Sequence, residues 1–459
     1  MTAQIFSVRG KRVTVVGAAR SGIAAAHLLV RRGATVTLTD TREEIADAHG
    51  LRSAGVRLEL GRHEATTFSA SDLIVLIPGV PATIPEVAAA RAAGVSVIGE
   101  MEMAARWLRG RIVAITGTKG KSTTTTLTGR MLAAGGHKVL VGGNIGNALS
   151  AQVEDSTDQT IHVVEASSFQ LESIESFRPW IAVLLNFSPD HLDRHADEQE
   201  YAAAKSRIFV NQTADDWAVL NADDASVARM AADAASRRLL FSMTDSLASG
   251  VLVQGDSIVR RTAEGDTPLV PLASVRLLGR HLIADVLAAS AVASLAGVDA
   301  AAMTEAVEQF TGLEHALEPV TEFGGVMFVN DSKATNIEAA RRAIESFESI
   351  VVILGGRFKG GDFADLRQSL VDRRASVVAI GESQDLVVNA LGGAVPIHRA
   401  SDMGAAVRTA FAAATPGAAV VLAPACASFD MFSDYAERGR VFKQEVRRLE
   451  EEWKNAREQ

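Results

Sequence analysis

The chain reads as a three-domain α/β protein: a Rossmann-like N-terminal domain, a central P-loop-type mixed α/β domain, and a Rossmann-like C-terminal domain. Three observations predict this. Short β-rich apolar runs alternate with Ala-rich helical stretches, the pattern of parallel sheets covered by helices. The length, 459 residues, exceeds what one core fills and fits about three domains of ordinary size. Loops rich in glycine, hydroxyls and charge follow the apolar runs, where open parallel sheets gather their ligands.

Hydrophobic residues make up 47% of the chain and charged residues 22%, ample for globular cores without a long disordered tail. A net charge of −9 argues against general binding to nucleic acid or an anionic membrane, although local basic groups could still hold an anionic substrate. The single cysteine, Cys426, excludes an internal disulfide framework and suits a reducing cytoplasm. It is read as a small buried thiol. Arg9, Lys11 and Arg12 lead straight into a strand-like run, without the apolar segment of a signal peptide. No uninterrupted apolar stretch is long enough to span a bilayer.

The first block covers residues 1–108. Val13–Gly17, Thr35–Asp40, Leu73–Pro78 and Val95–Ile98 are its β-rich runs. Gly17-Ala18-Ala19-Arg20-Ser21-Gly22 closes the first and resembles a dinucleotide fingerprint. Ala19, however, stands where a middle glycine would let the backbone approach a pyrophosphate, which argues against a nicotinamide cofactor. Asp40-Thr41-Arg42 ends the second run, where such folds place a ribose-binding carboxylate. These residues either bind a uracil or ribose, or Asp40 and Thr41 cap the following helix.

The second block, 109–312, carries the most informative motif. Arg111–Ile115 is a buried strand, Lys121–Ala134 a helix, and Gly117-Thr118-Lys119-Gly120-Lys121-Ser122-Thr123 joins them. A tight glycine turn aims N–H groups and a helix N-terminus at an anion. Lys121 reaches the outer phosphates, and Ser122 or Thr123 offers Mg²⁺ a hydroxyl. Ile115 occupies the place of another glycine in the standard pattern, so the loop is a shortened variant, and ATP is the expected ligand. Further strands are expected at Lys138–Val141, Ile161–Glu165, Ile181–Asn186 and Ala218–Asn221. Val251–Val259 and Leu272–Leu278 read as antiparallel strands, and Leu282–Leu295 with Ala300–Phe310 as a closing helical pair. Glu165 ends an apolar run and suits a hard cation. Asn144 lies in a glycine loop, and Lys205 is set among Ala202, Ala203 and Ala204. Asp193 and His195 read as turn caps that bind water, and His191 is ambiguous by itself.

The third block, 313–459, has runs at Val326–Val329, Ile350–Leu354, Val377–Ile380 and Ala419–Leu422. Loops bearing Asp331, Lys333 and Thr335, then Lys359, then Ser428 and Phe429, follow three of them and make an anion-binding face. The final helix, near Tyr435 to Trp453, is charged toward its end, as a solvated face would be.

Taken together, these residues resemble the Mur ligases. The resemblance runs from Asp40-Thr41-Arg42 to Ser428 and rests on GTKGKST, GGNIG, EASSFQLE, DHLDRH followed by AAKSRI, DSKATN, GGRFKGGDF and PACASFD. DSKATN matches the D-glutamate-adding member of the family best. The resemblance implies an ATP-dependent, amide-forming ligase that joins D-glutamate to UDP-N-acetylmuramoyl-L-alanine through an acyl phosphate. It implies two Mg²⁺ ions, one on Ser122 (or Thr123) and Glu165, the other on His191 and a carbamylated Lys205. Lys121, Asn144, His191 and Lys205 take catalytic roles. Gly117 to Thr123 with Asp331 and Lys333 bind ATP. Asp40, Thr41, Arg42 and Gly79 hold the UDP-sugar, and Thr335, Lys359, Ser428 and Phe429 hold D-glutamate. A monomer is expected, with the third domain closing on the second to complete the site.

Three departures stand out. Leu282 and Asp285 replace both asparagines of the family's His-Asn-x-x-Asn pattern beginning at His281, the place expected to meet adenine. Ala316 follows His315 where an arginine is common, and Lys119 replaces an asparagine in the phosphate loop. A folate polyglutamylating enzyme is the nearest rival, disfavoured by Asp40-Thr41-Arg42 and DSKATN. An oxidoreductase is disfavoured by Ala19. A nucleotide-binding regulator would bind ATP without turnover.

Overall fold

In the computed structural model the described residues are 6–190, 194–244, 247–276 and 281–458. Among them the strands form three sheets. β1 (Arg12–Val16), β2 (Thr35–Asp40), β3 (Arg57–Leu60), β4 (Leu73–Leu76) and β5 (Ser96–Gly99) make a parallel sheet in the order β3-β2-β1-β4-β5. The strand order reverses between β1 and β4, so loops leaving these two strands diverge and open a crevice. β3 is absent from the sequence reading because Arg57 and Glu59 interrupt Leu58 and Leu60. It lies at the sheet edge, where such alternation is tolerated.

The second sheet has nine strands. They are β6 (Arg111–Thr116), β7 (Lys138–Gly143), β8 (Thr160–Glu165), β9 (Ile181–Leu184), β10 (Trp217–Asn221), β11 (Arg237–Ser242), β12 (Gly250–Gln254), β13 (Ser257–Thr262) and β14 (Gly265–Pro271). Their order is β14-β13-β12-β11-β10-β9-β6-β8-β7, antiparallel at β12–β13–β14 and parallel elsewhere. Val251–Val259, expected as one strand, is two, turning at Gly255 with φ +59°. The strand expected at Leu272–Leu278 is not one. Leu272–Ser274 forms a 3-10 turn, and residues 277 and 278 lie outside the described residues. Edge strand β14 holds Pro268 and Pro271, which an interior strand would not tolerate.

The first two sheets share one continuous core, from Val13 and Leu28 to Val164, Phe177 and Leu220. Two buried acids on the helix Glu100–Ala105 bind elements of the second sheet to the first. Glu100 accepts from the N–H (2.8 Å) and hydroxyl of Ser150. Glu102 accepts from the N–H groups of Glu175 (3.0 Å), Ser176 (3.1 Å) and Phe177 (2.9 Å), and from Arg106 Nε (2.8 Å). Satisfied this fully, the carboxylates are tolerable at a packed interface.

A second compact unit holds residues 310–458 with 276, 281 and 282 among the described residues. Its strands are β15 (Glu318–Phe323), β16 (Val326–Asn330), β17 (Ile350–Gly355), β18 (Ser376–Ile380), β19 (Ile397–Arg399) and β20 (Ala419–Leu422), ordered β15-β16-β20-β17-β18-β19. Only β15 runs antiparallel to its neighbour among these. Helices cover both faces, one burying Ile337, Ala340 and Ile344 and others Val407, Phe442 and Val446. No helix among the described residues is long and apolar enough to cross a membrane.

Candidate active site

The phosphate loop leaves β6 and enters the helix Lys121–Ala134. Gly120, the N-cap, has φ +79° and Gly117 has φ +153°, values that favour residues without a Cβ. Lys121 Nζ donates to Gly117 O and Thr118 O, both at 3.0 Å. Beside the loop, β8 ends in Glu165. Its Oε2 accepts from Ser122 Oγ at 2.7 Å, and its Oε1 from Asn144 Nδ2 at 2.7 Å. Glu165 belongs here because β8 pairs directly with β6, Ile115 opposite Glu165. Asn144 follows because β7 lies on the other side of β8 and its N–H donates to Glu165 O at 2.9 Å.

Lys205 comes from the helix Glu198–Ser206 and is 1% exposed. Its Nζ donates to Gly117 O at 2.8 Å and lies 4.5 Å from the Tyr201 ring centroid. Burial first, then the nearby Lys121 charge, push this amine down to about 7. Tyr201 is pushed up to about 12 by burial and donates to Thr118 Oγ1 at 3.5 Å. The sequence thus places Lys121, Ser122, Asn144, Glu165 and Lys205 around one turn of backbone. Lys119 is paired with Asp190 at 3.2 Å, at the loop's flank. His191 and Asp193 lie outside the described residues.

His195 departs from the expected water-bound turn cap. It is buried, stacked 5.4 Å from Phe169, with Nε2 3.0 Å from Ser168 Oγ and Nδ1 3.3 Å from Glu172 Oε1. Other contributors also carry no role in the sequence reading. Asn186, just past β9, clamps the phosphate loop: its Oδ1 accepts from the N–H groups of Thr118 (3.1 Å) and Lys119 (2.9 Å), and its Nδ2 donates to Lys119 O (3.1 Å). Its signal was an amide ending an apolar strand beside the loop. A cleft of about 220 Å³ opens past the β1/β4 reversal, lined by Ile77, Pro78, Glu100, Phe169, Gln170 and Arg194 among others. The Arg194 guanidinium lies 4.3 Å from the Phe169 ring centroid and gives the cleft a cation.

At the C-terminal end of β2, Asp40 and Arg42 meet in a bidentate pair, 3.0 Å (Nε–Oδ1) and 2.8 Å (Nη2–Oδ2). Asp40 also accepts from Ala18 N–H at 2.6 Å, which ties it to the turn after β1. The Arg42 side-chain bonds hold its carboxyl well below the usual carboxylate range. Thr41 and Gly79 are exposed at the ends of β2 and β4.

In the other unit, the loops after β16, β20 and β17 leave three adjacent parallel strands at the same end. They are joined by Ala425 N–H to Ala334 O (2.9 Å) and by reciprocal bonds between Arg357 and Ala427 (2.9 and 3.0 Å). Asp331 is buried, accepts from Leu317 N–H at 3.1 Å, and is pushed up to about 7 by burial. Lys333, Lys359 and Phe429 are exposed, while Thr335 is half-buried and Ser428 buried. Arg438, 2% exposed on the helix Tyr435–Glu458, organises the group, an exception to a solvated helix face. It donates to Ser332 Oγ (3.0 Å), Ser332 O (2.8 Å) and Cys426 O (3.0 Å), fastening two loops with one guanidinium. Cys426 is buried, with burial raising its thiol.

Fold and site together define a three-domain α/β protein whose central sheet presents a nucleotide-phosphate loop. Three family models match in series: a Mur ligase MurD-like N-terminal domain at residues 11–99, a Mur ligase middle domain at 115–293, and a Mur ligase glutamate ligase domain at 317–426. The UDP-N-acetylmuramoylalanine–D-glutamate ligase of Acidobacterium capsulatum is 48% identical, covering 98% of this chain and 100% of its own length. That of Geotalea uraniireducens is 46% identical, covering 96% and 98%. Among solved structures, the UDP-N-acetylmuramate-alanine ligase of Thermotoga maritima has the same fold, with TM-score 0.60 and 18% identity over 96% of this chain and all of the other. A pseudomurein peptide ligase type C from Methanothermus fervidus gives 0.57 and 16%, over 91% of this chain and 97% of that one. The chain belongs to the Mur ligase family.

Proposed function

We propose that this ATP-dependent ligase joins D-glutamate to UDP-N-acetylmuramoyl-L-alanine. The full-length 48% identity to a ligase of that name supports the reading most directly. The substrate carboxylate attacks the γ-phosphorus of ATP and the bond to the β-phosphate oxygen breaks, giving an acyl phosphate and ADP. The D-glutamate amine then adds to the acyl carbon, loses a proton, and phosphate departs as the amide forms. A bare carboxylate is a poor electrophile, and phosphorylation gives it a leaving group.

Lys121 and the N–H groups of Gly120 to Ser122 hold the outer phosphates and offset their charge, while Asn186 keeps the N–H groups of Thr118 and Lys119. Asn144, fixed by Glu165, meets the transferring phosphoryl group. Asp40, Thr41, Arg42 and Gly79 hold the UDP-sugar. Thr335, Lys359, Ser428 and Phe429 hold D-glutamate, with Asp331 and Lys333 serving ATP.

The donor set fits Mg²⁺ at one place. Ser122 Oγ and Glu165 Oε2, 2.7 Å apart, are hard oxygens converging beside the loop. A second ion fits only an oxygen from Lys205, whose amine is itself no ligand for a hard cation. With its amine near half neutral at pH 7, Lys205 can add through nitrogen to CO₂ and release a proton, giving a carbamate whose oxygens would serve a hard cation, with His191 as the other ligand the family resemblance implies. When bound, Mg²⁺ neutralises charge on the phosphates.

The test is ATP-dependent phosphate release with UDP-N-acetylmuramoyl-L-alanine and, in turn, D-glutamate, L-glutamate and L-lysine. Turnover with D-glutamate alone is expected. Equal rates with L-glutamate or L-lysine would overturn the substrate assignment.

A further inference from the structure

Asp285 lies on the helix His281–Leu295, remote in sequence from the phosphate loop, and is buried. Its Oδ1 accepts from Thr124 Oγ1 at 3.1 Å. Thr124 is the fourth residue of the helix Lys121–Ala134, and its N–H closes the first turn on Gly120 O at 2.9 Å. The same carboxyl lies against Gly120, so closely that a Cβ there would stand 2.1 Å from Oδ1. One side chain therefore touches both ends of the turn whose N–H groups face a phosphate.

We propose that Asp285 is a positioning residue that holds the phosphate loop's first helical turn in shape for the triphosphate, rather than a contact to adenine. The inference rests on the ATP reading above. A charged carboxylate here would weaken the field that the helix N-terminus offers an anion. Burial removes that conflict, pushing the carboxyl up to about 8, so that it is mostly neutral at pH 7. An asparagine would set a carbonyl oxygen in the same place for Thr124. An alanine would not, and would leave a hydroxyl unpartnered and a void behind Gly120.

The full-length wild type and the variants Asp285→Ala, Asp285→Asn and Thr124→Val are titrated by calorimetry with ATP and with inorganic tripolyphosphate, both with Mg²⁺. Their KM and kcat values are measured alongside. Asp285→Ala and Thr124→Val should each weaken both ligands by about tenfold, the worth of one well-made buried hydrogen bond. KM for the UDP-sugar should stay unchanged. The double variant should be no weaker than either single one, and Asp285→Asn should return to within about threefold of wild type. Weakened ATP with unaltered tripolyphosphate would make Asp285 an adenine contact and overturn the proposal, as would an Asn variant as weak as the Ala one. If Asp285→Ala fails to fold, Thr124→Val carries the same comparison. A wild type that ignores ATP sinks the ligase reading itself, whereas normal wild-type binding with unaltered variants sinks this inference alone.

Discussion

Replacing Lys205 by methionine should abolish turnover yet make the chain harder to unfold. The ammonium is buried in a space that also feels Lys121, so its folded value falls from 10.5 to about 7. The unfolded chain therefore binds more protons between those two values, and wild-type stability rises with pH across that window. Below pH 7 both states carry the proton and the whole penalty remains. Above 10.5 neither does, and the penalty is gone. At pH 7 it amounts to roughly 4 kcal/mol. Against it stands the bond from Lys205 to Gly117 O, contributing about 1 kcal/mol, and Lys121 still serves that carbonyl in the variant. Methionine keeps the length and apolar stem, so the variant should gain about 3 kcal/mol in CO₂-free buffer at pH 7. Urea unfolding from pH 6 to 9 reads this directly, and the gap should narrow by up to about 1.4 kcal/mol per pH unit above 7. A variant less stable than wild type at pH 6, or a difference independent of pH, would refute the reasoning. Under ¹³CO₂ the wild type should show a carbamate carbon resonance that the variant lacks.

Two further outcomes follow from the contacts described. Glu165→Gln replaces an anion that receives both Ser122 and Asn144, so turnover should fall by at least roughly a hundredfold with a higher Mg²⁺ requirement; an unchanged Mg²⁺ titration would count against the cation site. Arg438→Lys keeps the charge but cannot span Ser332 and Cys426 with one planar group. It should cost roughly 2–4 kcal/mol in urea unfolding and raise KM for D-glutamate more than for ATP. Equal KM effects on both would argue that the two loops do not serve the amino acid.

Much of the fold was legible because buried parallel strands are unbroken apolar runs. Val326–Asn330, Ile350–Gly355, Ser376–Ile380 and Ala419–Leu422 each declare themselves this way. Edge strands do not. β3 alternates charge with leucine, β14 contains two prolines, and β19 is three residues long, because half of each faces solvent and carries no apolar signature. The phosphate loop was legible for a different reason: its chemistry is local, a glycine turn followed at once by a helix N-terminus.

The rest of the site is assembled from side chains whose sequence context looks ordinary. Lys205 on an alanine-flanked helix, Asn186 after a strand and Arg438 in a charged helix would each pass for surface residues. His195 likewise reads as a turn cap until Phe169 and Tyr201 close over it. Their roles come from burial, and burial is a property of what packs above a residue.

The amino-acid sequence alone determined the α/β class, the phosphate loop and the family motifs, since those depend on period, local turn chemistry and residue identity within short windows. Tertiary structure alone decided that Lys205 is desolvated against Gly117, that Asp285 meets Gly120 and, across 161 positions of chain, Thr124, and that Arg438 binds two loops together. Those facts arise when distant segments exclude water from a shared space, and the cost of an unpaired polar group there dictates which partners they must find.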